Sequence, residues 1–184
     1  MISNSVIGTT ESGTPGLGNG GEGIHLIGGG QHTLGGVASV GNIIAGNLSN
    51  GVLIENSVSN KIYGNRIGII TSADGNVKLG NSLSGVRMVN SGNSEVGATI
   101  LTGYRNYIGG NGFYGLLLEG AETRNTLVKN NFIGTDQTDA LLGNVSHGVL
   151  IINQAQNIAV GGQEIQAGNT IAHNDSVLLN WQSG

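Results

Sequence analysis

One five-residue segment of mostly apolar residues recurs six times along the chain, and this repetition constrains the fold more than any other feature. Successive copies start 28, 34, 30, 33 and 28 residues apart, so shorter and longer intervals alternate in a super-repeat of roughly 62 residues. Repetition at such a period is typical of solenoids, in which each repeat buries its apolar face only against its neighbours. The copies start at Gly23, Gly51, Gly85, Gly115, Gly148 and Ser176.

Two further strands are predicted in each coil from residues that recur in the same phase. Asn side chains at equivalent positions are expected to stack, each amide donating to the next one along the solenoid. The second strand is predicted to follow Gln31, Asn60, Asn93, Asn125 and Asn157. The third is predicted to follow Asn42, Asn65, Asn106, Asn131 and Asn169, and later corners carry Asn47, Asn81, Asn111, Asn144 and Asn174.

The composition fits this pattern. The chain has 35 Gly and one Pro in 184 residues, and 38% of its residues are hydrophobic. Short segments rich in β-branched residues favour strands, and Gly or Asn at the corners permits a positive φ. The sequence therefore predicts a single all-β domain over residues 1–184, a right-handed parallel β-helix of about five and a half coils, each of 28–34 residues. The super-repeats are placed at approximately 4–64, 65–130 and 131–184.

The coil lengths predict the right-handed form, because left-handed β-helices are built on hexapeptide periods with uniform coils. The chain also resembles the right-handed parallel β-helix repeats of bacterial surface and secreted proteins within the pectate-lyase-like superfamily. The resemblance implies an extracellular or cell-surface location, and it is shared by adhesins and carbohydrate-active enzymes alike. The segments that carry it are Asn131-Phe-Ile-Gly-Thr-Asp-Gln-Thr, Leu142-Gly-Asn, Gly148-Val-Leu-Ile and Asn157-Ile-Ala-Val-Gly-Gly.

Carboxylates on the outer face of the first strand are the candidates for catalysis. Glu55 and Glu119 are predicted to lie two coils apart, roughly 9.6 Å at about 4.8 Å per coil, near the upper limit for an inverting glycosidase. Arg87 would lie between their levels. The alternative is a surface ion network of small stability. The chain lacks the Asp pairs and clusters expected of pectinase-like relatives, so the sequence favours a protein that is not an enzyme.

Self-association is the leading functional prediction. Leu53, Leu117, Leu150 and Leu178 are predicted to point outward as an exposed apolar band, which monomers rarely leave in contact with water. A covering loop, or a slip of one residue in the assignment of faces, is the alternative. Solenoid ends without caps are a further route to association. The expected partners are identical copies in an oligomer or filament, or adjoining coils of a longer surface protein.

Aromatic residues offer a second kind of site. Tyr104, Tyr107, Phe113 and Tyr114 lie within eleven residues and could stack on sugar rings of a polysaccharide. The alternative is that some of them fill the core.

Metal binding is considered at Asp136 and Asp139, which could supply oxygen ligands to calcium or could form Asx turns. The turn is favoured, and no metal or other cofactor is predicted. The seven Lys and Arg residues form no cluster, so no nucleic-acid partner is expected. No apolar stretch is long enough to suggest insertion into a membrane.

Overall fold

A computed structural model describes residues 1–98 and 102–179 of the chain. Nineteen strands occur in these residues, together with two short 3-10 turns, Ala38–Val40 and Thr102–Tyr104. None of the described residues forms a helix that is long and apolar enough to cross a membrane. The strands are β1 (Val6–Ile7), β2 (Ile24–Ile27), β3 (Thr33–Gly35), β4 (Ile43–Ile44), β5 (Val52–Glu55), β6 (Lys61–Tyr63), β7 (Arg66–Ile67), β8 (Ile69–Ser72), β9 (Gly75–Lys78), β10 (Val86–Val89), β11 (Glu95–Val96), β12 (Tyr107–Ile108), β13 (Leu116–Glu119), β14 (Leu127–Val128), β15 (Phe132–Ile133), β16 (His147–Ile152), β17 (Ala159–Val160), β18 (Thr170–Ile171) and β19 (Ser176–Leu179).

Three parallel sheets run along the solenoid. Sheet I has the order β2-β5-β10-β13-β16-β19, sheet II has β3-β6-β11-β14-β17, and sheet III has β1-β4-β7-β12-β15-β18. β8 and β9 form an antiparallel hairpin outside these sheets. Successive turns of the chain visit sheets I, II and III, so the predicted all-β parallel β-helix is confirmed. The described strands make five three-strand coils with one further strand at each end, a count that differs only slightly from the predicted one.

The core is built from the residues that alternate inward on each strand. On sheet III the inward residues of four successive coils, all isoleucine, are fully buried: Ile44, Ile67, Ile108 and Ile133. Sheet I contributes two inward residues per strand, such as Val86 and Met88, which have no exposed surface. A single coil cannot enclose these side chains, and the stack of coils encloses them from above and below.

Five strands of sheet I, all except β19, start next to a glycine that is required for space. A Cβ atom on Gly85 would lie 2.8 Å from Asn111 Nδ2 and from Ile108 Cγ2, and 2.9 Å from the carbonyl oxygen of Gly115. These leading glycines do not have a positive φ, so the prediction that a corner glycine permits a positive φ is wrong at this position. Their repetition follows from the close approach of backbone, core and corner side chains. Equivalent contacts occur at Gly23, Gly51, Gly115 and Gly148.

Positive φ angles occur at other corner positions, among them the corner between sheets I and II. Asn93 has φ of 54°, and Ser59 has φ of 59°. The pairing of Thr33 with Lys61 places Ser59 at the corner position of Gln31. The prediction that Asn60 occupies that position is therefore wrong by one residue. Asn60 is fully buried one step further along the chain.

Long loops leave sheet III in alternate coils and dock on one another. They follow Gly8, Gly68 and Gly134, each of which has a positive φ. Asn76, in the hairpin between β8 and β9, donates to Asp136 of the next long loop at 2.8 Å. The first long loop also packs on the second, since a Cβ atom on Gly13 would overlap Ile70 Cδ1. Successive long loops therefore contact one another across the intervening short-looped coil.

Candidate functional site

Two columns of Asn side chains lie in the corners on either side of sheet III. In the first column each Nδ2 donates to the Oδ1 of the Asn in the following coil at 2.9–3.1 Å. The Asn side chains also form hydrogen bonds with backbone groups of adjacent coils, so the column links the backbones of these coils as well as their side chains. This entry ladder, as we call it, consists of Asn42, Asn65, Asn106, Asn131 and Asn169.

The second column, the exit ladder, lies between sheets III and I. Its amides are joined by Nδ2 to Oδ1 bonds of 2.8–3.0 Å. The sequence predicts both ladders, and these side-chain bonds confirm the prediction. The exit ladder also extends one coil beyond the residues named from the sequence, to Asn19. It consists of Asn19, Asn47, Asn81, Asn111, Asn144 and Asn174.

Asn81 shows how completely a ladder amide is satisfied. Its Oδ1 accepts from the Nδ2 of Asn47 at 2.8 Å and from the backbone N–H of Asn47 at 3.2 Å. Its Nδ2 donates to Asn111 Oδ1 at 3.0 Å and to the Ile44 carbonyl at 3.1 Å. Because a buried amide without partners is costly, this saturation makes the ladders a structural rather than a ligand-binding feature.

The candidate catalytic residues take part in two separate side-chain contacts. Glu55 is 2.7 Å from His25 Nε2, while Arg87 Nε is 2.7 Å from Glu119 Oε1. The second carboxylate oxygen of Glu119 accepts from Asn153 at 3.0 Å. The strand register places Arg87 on the coil between the two glutamates, as predicted. Arg87 is hydrogen-bonded to Glu119, and Glu55 is bound to His25, which is the pattern of a surface ion network.

The predicted outer leucine band is not exposed. Leu53, Leu117 and Leu150 retain only 6%, 7% and 6% of their accessible surface, so the expectation of an exposed band is wrong for these three. Each lies between the outer side chains of the coils above and below it, about 4.8 Å away. Paired polar side chains such as Arg87 and Glu119 flank the leucines on the same face. The side chain of Leu178 lies outside the described residues.

Exposed apolar side chains lie instead along the corner that follows sheet III. They stand one or two positions after an exit-ladder Asn, in four successive coils. The apolar residue that follows each of these four Asn residues is visible in the sequence and could have indicated the exposed row. These residues are Leu48, Leu83, Phe113 and Val145.

The four candidate aromatic residues do not form one platform. Tyr104 meets Tyr63 edge-on, with ring centroids 5.5 Å apart, at the corner between sheets II and III. The Tyr63 hydroxyl donates to Glu95, and burial, followed by this bond, raises the pKa of Tyr63. Phe113 and Tyr114 lie on a different corner, in edge contact at 5.8 Å.

Tyr107 belongs to a stack on the outer face of sheet III. The Arg66 guanidinium lies 5.6 Å from the centre of its ring, and the Phe132 ring is stacked against it at 5.4 Å. The Arg105 guanidinium lies 4.4 Å from the centre of the Phe132 ring. A sugar that stacks on an aromatic residue needs a free ring face. Arg66 and Phe132 occupy the faces of Tyr107, so this ring is a poor candidate for such a contact.

Asp136 forms an Asx-type turn. Its Oδ1 accepts from the Thr138 N–H at 2.8 Å and from the Thr138 hydroxyl at 2.7 Å, while Oδ2 accepts from Asn76. Burial raises the pKa of Asp136, but the bonds from Thr138, Asn76 and Ala140 outweigh that effect and lower it overall. Asp139 is exposed in a left-handed conformation, with φ of 59°. No metal-binding group of three acidic, His or Cys side chains occurs among the described residues.

An open groove of about 390 Å³ on the outer face of sheet II was missed from the sequence. It is lined by Gln31, Thr33, Ser59 and Lys61. The signal that could have located it is a break in the repeat. Later coils have Asn at the corner position that Gln31 and Ser59 occupy, as at Asn93.

Comparisons with protein-family models, with curated proteins and with solved structures find no match for this chain.

Proposed function

We propose that the chain is a non-catalytic structural β-solenoid whose edge strands pair with further strands, and that a second copy of the chain can supply them. The observation that carries this proposal is the state of the two ends of the described solenoid. Strands β2 and β18 each pair on one side only among the described residues. The inward residues there, including Leu26 and Ile171, are only partly buried although they pack against the core.

Both ends are therefore suited to further pairing. An open edge of a sheet presents backbone N–H and C=O groups that another strand can satisfy. Contact with a further coil would also complete the burial of the apolar residues at the end of the core, which is favourable at about 25 cal/mol per Å².

The polar side chains give no comparable support to an enzymatic function. Glu55 and Glu119 are held by different basic partners, and Asp136 is saturated by loop donors. Contacts of this kind are typical of side chains that stabilise a protein surface. A location at the cell surface or outside the cell is part of the proposal and rests on the resemblance to surface β-helix repeats.

Light scattering after size-exclusion chromatography, across a concentration series, tests this function. We expect the mass to grow above 18.6 kDa as concentration increases, with elongated particles in negative-stain images of the same fractions. A monomer of unchanged mass at every concentration would contradict the proposal.

Binding of a polysaccharide is a second candidate, and the open groove on sheet II favours it. Lys61, which takes part in no ion pair within the described ranges, places a cation among the hydroxyl groups of Thr33 and Ser59. Titration with neutral and acidic oligosaccharides should then saturate, and Lys61→Ala should weaken binding whereas Lys78→Ala on the hairpin should not. Equal binding by both variants would exclude this groove.

A further inference from the structure

The corner that leads from the exit ladder to sheet I has the same length in four successive coils. Three residues separate the ladder Asn from the glycine that precedes the sheet I strand, as between Asn81 and Gly85. The first of the three donates its backbone N–H to the ladder Asn carbonyl of the preceding coil, as Gly112 does to Asn81. Equivalent corner positions therefore lie above one another along the solenoid. The four corners are 48–50, 82–84, 112–114 and 145–147.

The first two positions of each corner combine one large apolar residue with one small residue. The large residue comes first in the two outer coils, at Leu48 and Val145, and second in the two inner coils, at Leu83 and Phe113. These four side chains form the exposed row, and they keep between 37% and 70% of their accessible surface. The small residues beside them are Ser49, Ser82, Gly112 and Ser146.

This pattern is complementary to itself in one orientation of two copies. A twofold axis parallel to the solenoid keeps every coil at its own level and reverses the order of the two corner positions. Each large side chain then faces the small residue of the same coil in the other copy, as Leu83 would face Ser82. A twofold axis perpendicular to the solenoid would instead place Leu48 against Val145, with large residues opposed to one another.

The charges around the exposed row also suit contact with an identical surface. The four corners contain no Lys, Arg, Asp or Glu, so a second copy would bury no unpaired carboxylate or ammonium group there. The nearest acidic residues, Glu22 and Asp175, belong to the corners of the coils before and after the row. An apolar centre depleted of charge, with polar groups at its rim, is the usual composition of a protein interface.

We propose that the exposed row is a lateral interface on which a second, parallel copy of this chain docks, side by side, about a twofold axis along the solenoid. The contact is isologous, so it closes as a dimer. It lies on the side of the solenoid and goes beyond the pairing of edge strands described above.

The size of the row indicates a weak, reversible dimer. Specific and stable interfaces bury about 1,200–2,000 Å² in total. Four corners stacked at about 4.8 Å per coil give a contact less than about 20 Å long, which is at the lower end of that range. Tyr114 and His147, half-buried at the third corner position and in edge contact at 5.7 Å, widen it on one side.

Cross-linking with a short bis-maleimide tests the orientation, because the native chain has no cysteine. In a parallel dimer, Ser49→Cys should cross-link to its own copy, and so should Ser146→Cys, since each residue stays at its own level. In an antiparallel dimer the two levels exchange. A mixture of the two variants, one of them isotopically labelled, should therefore give like pairs only. Ala159→Cys, exposed on sheet II on the far side of the solenoid, is the control and should stay uncross-linked.

Sedimentation equilibrium tests the contribution of the apolar side chains. The double variant L48S/V145S should raise the dimer dissociation constant by more than about tenfold, because it removes apolar burial from both copies. The matched control is Ile165→Ser, an apolar residue that is 90% exposed and lies outside the row, and it should dimerise like the native chain. Circular dichroism should match the native spectrum for every variant.

The possible results separate this interface from the proposed function. Cross-links between unlike variants in the mixture would overturn the parallel arrangement. Association that L48S/V145S leaves unchanged would overturn the lateral interface but would leave edge pairing in place. A native chain that stays monomeric at every concentration would overturn both.

Discussion

Replacing Asn81 by alanine tests whether the buried ladders hold the coils together. The substitution removes the only acceptor of the Asn47 side-chain Nδ2 and of the Asn47 backbone N–H within the described residues. The Ile44 carbonyl still accepts a hydrogen bond from the Gly68 N–H, and Asn111 Oδ1 still accepts one from the backbone N–H at position 81. Two buried donors are thus left unsatisfied.

The expected cost follows from those two donors. Leaving a buried polar group without a partner costs about 1–3 kcal/mol, so Asn81→Ala should reduce the free energy of unfolding by about 2–6 kcal/mol. The matched control is Asn125→Ala, because Asn125 donates to Asn93 in an exposed ladder. Asn125 has a φ of 53°, so alanine there adds backbone strain of about 1–2 kcal/mol, but it leaves no buried donor without a partner.

Urea unfolding followed by circular dichroism gives the global change for both variants. Hydrogen exchange gives the local change in stability, since a solenoid can open coil by coil. The backbone amide of Asn47 should exchange faster in Asn81→Ala and at the native rate in Asn125→Ala. Equal losses of stability in the two variants, or an unchanged Asn47 amide, would refute the assignment of stability to the buried ladders.

Three further predictions concern a glycine, a loop and an ion pair. Gly85→Ala should lower the free energy of unfolding by about 1–3 kcal/mol through overpacking, whereas Gly168→Ala, with open space around it, should not; equal urea midpoints would contradict this. Acidification below about pH 4 should destabilise the native chain. The pKa of Asp136 is lower in the folded chain than in the unfolded chain, so its carboxylate stabilises the fold at a pH above the unfolded pKa, and this contribution is lost as the pH falls through the folded pKa. Asp136→Asn should flatten that pH profile, and an unchanged profile would exclude the effect. Glu119→Gln should cost less than about 1 kcal/mol, since its Arg87 partner is partly exposed; a larger loss in urea unfolding would show stronger coupling.

The strand positions and both Asn ladders are predictable from the sequence, since identical positions in successive coils must lie above one another. Gly85 and Gly115 occupy equivalent positions in successive coils, and so do Asn81 and Asn111. The strand register confirms that Arg87 lies on the coil between Glu55 and Glu119. Periodicity determines such relations without any knowledge of side-chain conformation.

Side-chain surroundings are less predictable, because they depend on contacts between positions that the repeat does not relate. Leu117 has the pattern of an exposed residue and is buried by its neighbours on the outer face. Tyr104 and Tyr107 are close in sequence but lie on opposite sides of a corner, so their rings contact different partners. The docking of Asn76 on Asp136 joins two loops of unlike sequence, and no periodic signal indicates it.

The docking of loops across an intervening coil restricts how such a chain can lengthen or shorten. Removing one coil would place a long loop directly against the next one and would shift Asn76 out of reach of Asp136. Removing or duplicating two coils, roughly 62 residues, would keep the long loops two coils apart and would leave both ladders continuous. Size variants of this solenoid that still fold should therefore differ by an even number of coils, so the pair of coils is the smallest segment that can be added or removed.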